Sequence, residues 1–166
     1  MNRLFYALAA VAIVISGAVI VGTSAGLPDT VASHFGARGD ANGYMSRERY
    51  EVLMLALGIG IPFSIAVLMA ALPRAAPCLV NVPELRAWLA SPRRDEALSV
   101  LGAYGAVAAI LVTACIAGAH LVVLRANEVA PAHRDPGVCG VFVVAVGLAM
   151  AIWVITLIRR FRGGPR

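Results

Sequence analysis

The chain has 166 residues, of which 60% are hydrophobic and 14% charged, with a formal charge of +5. A water-soluble domain of this length has too little interior for so much apolar surface, which points to a membrane protein. All 14 basic residues are Arg and lie between or beyond the apolar runs. No basic face on a soluble module is therefore left to bind nucleic acid. The three Cys are an odd number and suggest no disulfide framework.

Arg3 precedes an apolar run from Leu4 to Val21, continued by small residues to Ala25. The run is long enough to cross a bilayer. Thr23-Ser24-Ala25 resembles a signal-peptide cleavage site, but the run exceeds a usual signal core, so a retained anchor is expected.

A polar stretch follows, Leu27 to Arg49. Asp29 is placed to cap a short helical segment, Asn42-Gly43 signals a turn, and Ser46 is the expected N-cap of the next helix. Phe35 and Tyr44 are its large apolar groups, which should order the loop against the membrane face.

The second span is expected from Val52 to Leu72, with a kink at Pro62, and Pro73 and Pro77 ending it. In the second connection, Leu85, Trp88 and Leu89 share one face of a short helix, expected to lie in the interface with its indole at headgroup level. Ser91-Pro92 reads as the start of the next helix, with Asp95 and Glu96 favouring its positive end.

The third span, Leu98 to Leu124, is longer than a bilayer needs. Gly102 with Ala106, Gly105 with Ala109, and Ala114 with Gly118 place small residues four apart. That spacing suits close helix contact within one bundle or in a homo-oligomer equally. After a connection from Arg125 to Gly137, the fourth span runs from Val138 to Ile158 and ends in Arg159, Arg160, Arg162 and Arg166.

The expected fold is therefore all-α: one four-helix transmembrane domain, 1–166, with an ordered extracytoplasmic loop, 26–50, after the first helix. Nine Arg fall on the side of the termini and second connection, against five on the other. The positive-inside rule then puts both termini in the cytoplasm of a bacterial inner-membrane protein. His34, His120 and His133 all fall toward the outer side; with Asp40 they are the candidate metal ligands, though no pair has a diagnostic spacing. The spans hold no central Asp, Glu, Lys or Arg, which argues against an ion- or proton-coupled transporter. No nucleotide, hydrolase or metalloprotease motif is present, and the sequence names no cofactor.

The segment Leu27-Pro28-Asp29, His34-Phe35, Gly39 and Asn42-Gly43-Tyr44 resembles the bacterial domain of unknown function numbered 1648. That domain follows a first membrane span in proteins that include the immunity family against the sporulation-delay toxin, whose longer members carry further spans. Ala32 stands where the pattern usually has Pro, and Gly36 where it usually has Asn. Asn81-Val82-Pro83, Trp88-Leu89, Pro92 to Glu96 and Ala126-Asn127 are also similar to segments of short members of that group. The resemblance implies membrane residence; the toxin-resistance and repressor-sequestering role of the longer members transfers poorly to this chain, and no catalytic residue carries over onto His34.

Together these readings predict a non-enzymatic membrane protein with two working faces. An outer face of His34, Phe35, Gly39, Asn42 and Tyr44 would either recognise an envelope peptide or protein, in a receptor, immunity or signalling role, or form a structural plug over the bundle. An inner face of Trp88, Arg93 and Arg94 would meet membrane lipid or a cytoplasmic partner. The alternatives are an oligomeric transport or permeability component, and a metal-dependent enzyme built at the outer face on His34 and Asp40.

Overall fold

A computed structural model describes residues 2–165, so Arg166 of the C-terminal cluster lies outside the described residues. The chain runs through α1 (Asn2–Ser24), β1 (Thr30–Phe35), β2 (Ala41–Ser46), α2 (Arg47–Leu55), a π turn (Ala56–Gly60), α3 (Ile61–Ala75), a 3-10 turn (Pro77–Leu79), α4 (Leu85–Ala90), α5 (Arg94–Asn127) and α6 (Pro136–Phe161). Among the described residues four helical stretches are long and apolar enough to cross a membrane: Arg3–Ser24, Arg47–Ala75, Arg94–Asn127 and Pro136–Phe161.

The polar stretch after α1 folds as a two-stranded antiparallel hairpin, β1 on β2, in place of the helical segment expected after Asp29. Asn42-Gly43 sits inside β2, and the reversal falls at Gly36–Asp40 instead. Gly39 makes that reversal: its φ is +96°, and a Cβ there would overlap the Arg134 carbonyl and the His133 ring. Only glycine meets both demands. Asp29 ties the hairpin's base to the following helix through an ion pair with Arg47 (3.0 Å).

The second span begins where expected, with Ser46 accepting from the Arg49 N–H at 3.4 Å. A π turn, Ala56–Gly60, falls where the kink was expected, just before Pro62. A proline deep in a regular helix collides with the carbonyl four residues back. Here the π turn intervenes, and Pro62 falls in the first turn of α3. Gly58 faces α1 within this turn, where an added Cβ would press on Ile20 at 3.2 Å. Pro73 does not end the helix; it is buried within α3, which continues to Ala75. The 3-10 turn then starts at Pro77.

α5 is the central element, packing against α1, α3, α4 and α6. Its 34 residues span about 50 Å at 1.5 Å per residue, well beyond an apolar bilayer core. Both overhangs are used: Ala97 and Leu101 at one end pack with α4, and Asn127 at the other holds the hairpin. Its small residues serve contacts within the chain. A Cβ on Gly105 would overlap Met69 of α3, one on Gly118 would overlap Phe142 of α6, and Ala106 and Ala109 pack on Ala9 of α1. The α5 helix starts at Arg94, two residues beyond Pro92, because Ser91 closes α4 first: its hydroxyl donates to the Trp88 carbonyl (2.8 Å) and accepts from the Arg93 N–H (3.2 Å).

α6 starts at Pro136, capped by Asp135, whose carboxylate accepts from the Gly137 and Val138 N–H groups at 2.7 and 3.3 Å. It rests chiefly on α5, with the Trp153 indole donating to the Tyr104 carbonyl at 3.0 Å. Thr113 and Thr156 bond back to carbonyls of their own helices, the usual solution for an isolated hydroxyl in an apolar helix.

Candidate functional site

The hairpin end of the bundle holds a buried polar construction drawn from three helices. α1 brings Thr23, α2 brings Tyr50 and α5 brings His120, each near its helix's end. His120 is fully buried and bonded at both ring nitrogens: Nε2 to Thr23 Oγ1 at 2.7 Å, and Nδ1 to Tyr50 Oη at 2.8 Å. Thr23 already donates its proton to the Val19 carbonyl at 2.6 Å, so toward the ring its hydroxyl is the acceptor. Nε2 therefore carries the imidazole proton, and Nδ1 accepts from the Tyr50 hydroxyl. The two rings also stack, with centroids 5.7 Å apart. One neutral histidine thus joins three helices immediately beneath the hairpin.

Apolar packing completes the seat. Leu27 and Val31 of the hairpin segment are buried with Ile20, Tyr50 and Met54. Asn127, in the last turn of α5, then acts as a substitute strand. Its Oδ1 accepts from the Ala32 N–H and its Nδ2 donates to the Ala32 carbonyl, both at 2.9 Å, with a further bond to the Val123 carbonyl at 2.9 Å. Ala32 is where the resembling pattern has proline, and it uses the N–H that proline lacks. The α5–α6 connection holds the reversal: Arg134 donates from its backbone to the Gly39 carbonyl (2.9 Å) and from its guanidinium to the Gly36 carbonyl (3.2 Å).

On the other side of this seat lies an exposed polar face. His34 Nδ1 and Asn42 Oδ1 are 2.6 Å apart across the hairpin, both exposed. Tyr44 is 60% exposed, unusual for a large ring. Phe35 is half-buried and Gly39 buried, so of the five outer residues named from sequence three offer side chains to a partner. Gly43 shapes this face as well, since a Cβ there would collide with the Cβ of His34.

The four candidate metal ligands are not brought together. His34 bonds Asn42, His120 is consumed by Tyr50 and Thr23, and His133 lies 3.5 Å from Asp40. Among the described residues no three His, Cys, Asp or Glu side chains converge as a metal site. The His34–Asp40 pairing expected of an outer-face enzyme does not form, because Asp40 turns to His133 of the α5–α6 connection.

At the opposite end the Trp88 indole, expected at headgroup level, is turned inward. It is 3% exposed, packs edge-on to Phe161 and donates to the Phe161 carbonyl at 3.2 Å. Burying the ring against the last turn of α6 satisfies its N–H internally, which an interfacial position would leave to water. Arg93 and Arg160 each place a guanidinium 5.2 Å from the ring centroid, and both engage Glu96, Arg93 through Nε at 2.8 Å. That hydrogen bond, with the carboxylate's charge, holds the Arg93 guanidinium above its ordinary pKa. Arg94, the first residue of α5, is exposed.

Sequence reasoning reached His120 as a bundle residue but missed Thr23 and Tyr50 as its partners and Asn127 as the tie to Ala32. All three lie within a turn or so of a span end, and that shared depth was the available signal.

Four spanning helices and a hairpin seated on one end define an α-helical polytopic membrane protein. Residues 7–60 match a domain of unknown function, DUF1648. The match takes in most of α1, the hairpin, α2 and the π turn, and stops short of Asn81–Glu96 and Ala126-Asn127. No curated protein and no solved structure matches the chain.

Proposed function

We propose that this is a non-enzymatic protein of the bacterial inner membrane whose hairpin recognises an envelope peptide or protein. Residues 1–166 act as one transmembrane unit with both termini in the cytoplasm, and 26–50 is its extracytoplasmic recognition element. The Arg excess on the side of the termini supports that orientation. One observation carries the reading: the hairpin is fixed from below through Asn127, Arg134 and buried Val31 while His34, Asn42 and Tyr44 stay exposed above. A rigid platform with a polar and aromatic face loses little entropy on binding, which is what a recognition surface needs. Receptor, immunity and envelope-signalling roles would each need such a face.

The test is complementation in a strain lacking the gene, scored by sensitivity to envelope-active peptides. His34→Ala and Tyr44→Ala should each fail to restore the wild-type response while inserting normally into the membrane. Full complementation by both variants would overturn the proposal.

A further inference from the structure

Between α1 and α3 lies an open groove of about 520 Å³. Ala9 and Ala10 on α1, with Ala66, Ala70 and Ala71 on α3, form much of its walls. Small side chains on both helices create the space, and apart from Tyr6 and Arg74 the lining is apolar. Tyr6 lies in the second turn of α1 and Arg74 one residue from the end of α3, so both mark the membrane-boundary end of the groove. The Arg74 guanidinium folds back to donate to the Ala70 carbonyl, which holds its charge over the groove. Among the described residues no carboxylate forms an ion pair with Arg74.

We propose that this groove is a binding site for one anionic glycerophospholipid, its acyl chain along the alanines and its phosphate on Arg74. The argument is charge complementarity joined to shape. A cation without a carboxylate partner and an amphipathic tyrosine stand where headgroups lie, at the mouth of an apolar slot between two spanning helices. A partner helix would not require the cation, and a zwitterionic lipid would gain less from it, because its own ammonium offsets the charge of its phosphate. The site is separate from the hairpin and does not depend on the role proposed for it.

The test is native mass spectrometry of the full-length protein in neutral detergent, titrated with phosphatidylglycerol and, separately, phosphatidylcholine of identical chains. The wild type should favour phosphatidylglycerol by about fivefold, the contribution of one interfacial Arg. R74Q, an exposed position, should bind both lipids equally, at the phosphatidylcholine level. Ala70→Leu should fill the groove and lose both adducts, with Ala66→Leu giving the same result should the first variant fail to fold. Val144→Leu, on the exposed face of α6, should change neither. Unchanged phosphatidylglycerol preference in R74Q overturns the proposal, as does full lipid retention in both groove-filling variants. A dimer that Ala70→Leu converts to monomer with lipid binding intact would make the groove an interface between copies, and would overturn it too.

Discussion

The two ends of the bundle are closed by different chemistry. At the hairpin end the closure is polar and buried: one neutral imidazole joins three helices, and one carboxamide stands in for a strand. At the opposite end it is apolar and buried, with Trp88, Phe161, Leu85 and Leu101 in contact, and the charges of Arg93, Glu96 and Arg160 only half-covered at its edge. The first kind of closure is directional and fixes the orientation of whatever it holds. The second is stronger per residue and tolerant of small shifts. A recognition element gains from the first, and the joining of helix ends from the second.

The largest effect should come from the apolar end. Trp88→Ala removes an almost fully buried indole and its bond to Phe161, at a cost of about 3–5 kcal/mol, read as a lowered unfolding temperature in lipid nanodiscs. Amide exchange in the hairpin should stay slow; hairpin exchange rising to match global unfolding would erase the distinction between the ends.

His120→Leu comes next. It leaves the buried Tyr50 hydroxyl without its acceptor, for about 1–3 kcal/mol, and should loosen the hairpin while sparing the Trp88 environment. Adding Tyr50→Phe should recover part of the loss, because the orphaned hydroxyl goes with it. Strict additivity of the two substitutions would show that the bond contributes nothing.

The smallest and most local change is Asn127→Ala. It strips both bonds from Ala32 for about 1 kcal/mol, and hydrogen exchange should speed up at Ala32 without a shift in overall melting. A fall in global stability as large as that of His120→Leu would mean that the hairpin and bundle unfold as one unit.

Much of this was legible in advance, for identifiable reasons. A span announces itself through some twenty apolar residues in succession, so the four helices and the Ser46 cap followed from local pattern. The hairpin did not. Thr30–Phe35 and Ala41–Ser46 are short, and Asn42-Gly43 is a strong turn signal that lies inside a strand because Gly39 supplies the reversal. Pro73, expected to end the second span, misled in a related way. A proline forbids a regular bond, but a π turn or a nearby helix end can absorb the loss, and the choice lies with the neighbours.

Composition and order of residues were enough to determine that this chain crosses a membrane through four helices, because burial in lipid needs only length and hydrophobicity. Which polar residues meet was decided by tertiary structure alone. Thr23, Tyr50 and His120 are far apart in sequence, and only the packing of α2 antiparallel to α1 and α5 brings them to one depth. The inward turn of Trp88 has the same origin: its ring is amphipathic enough for lipid or core, and Phe161 at the far end of the chain settles which.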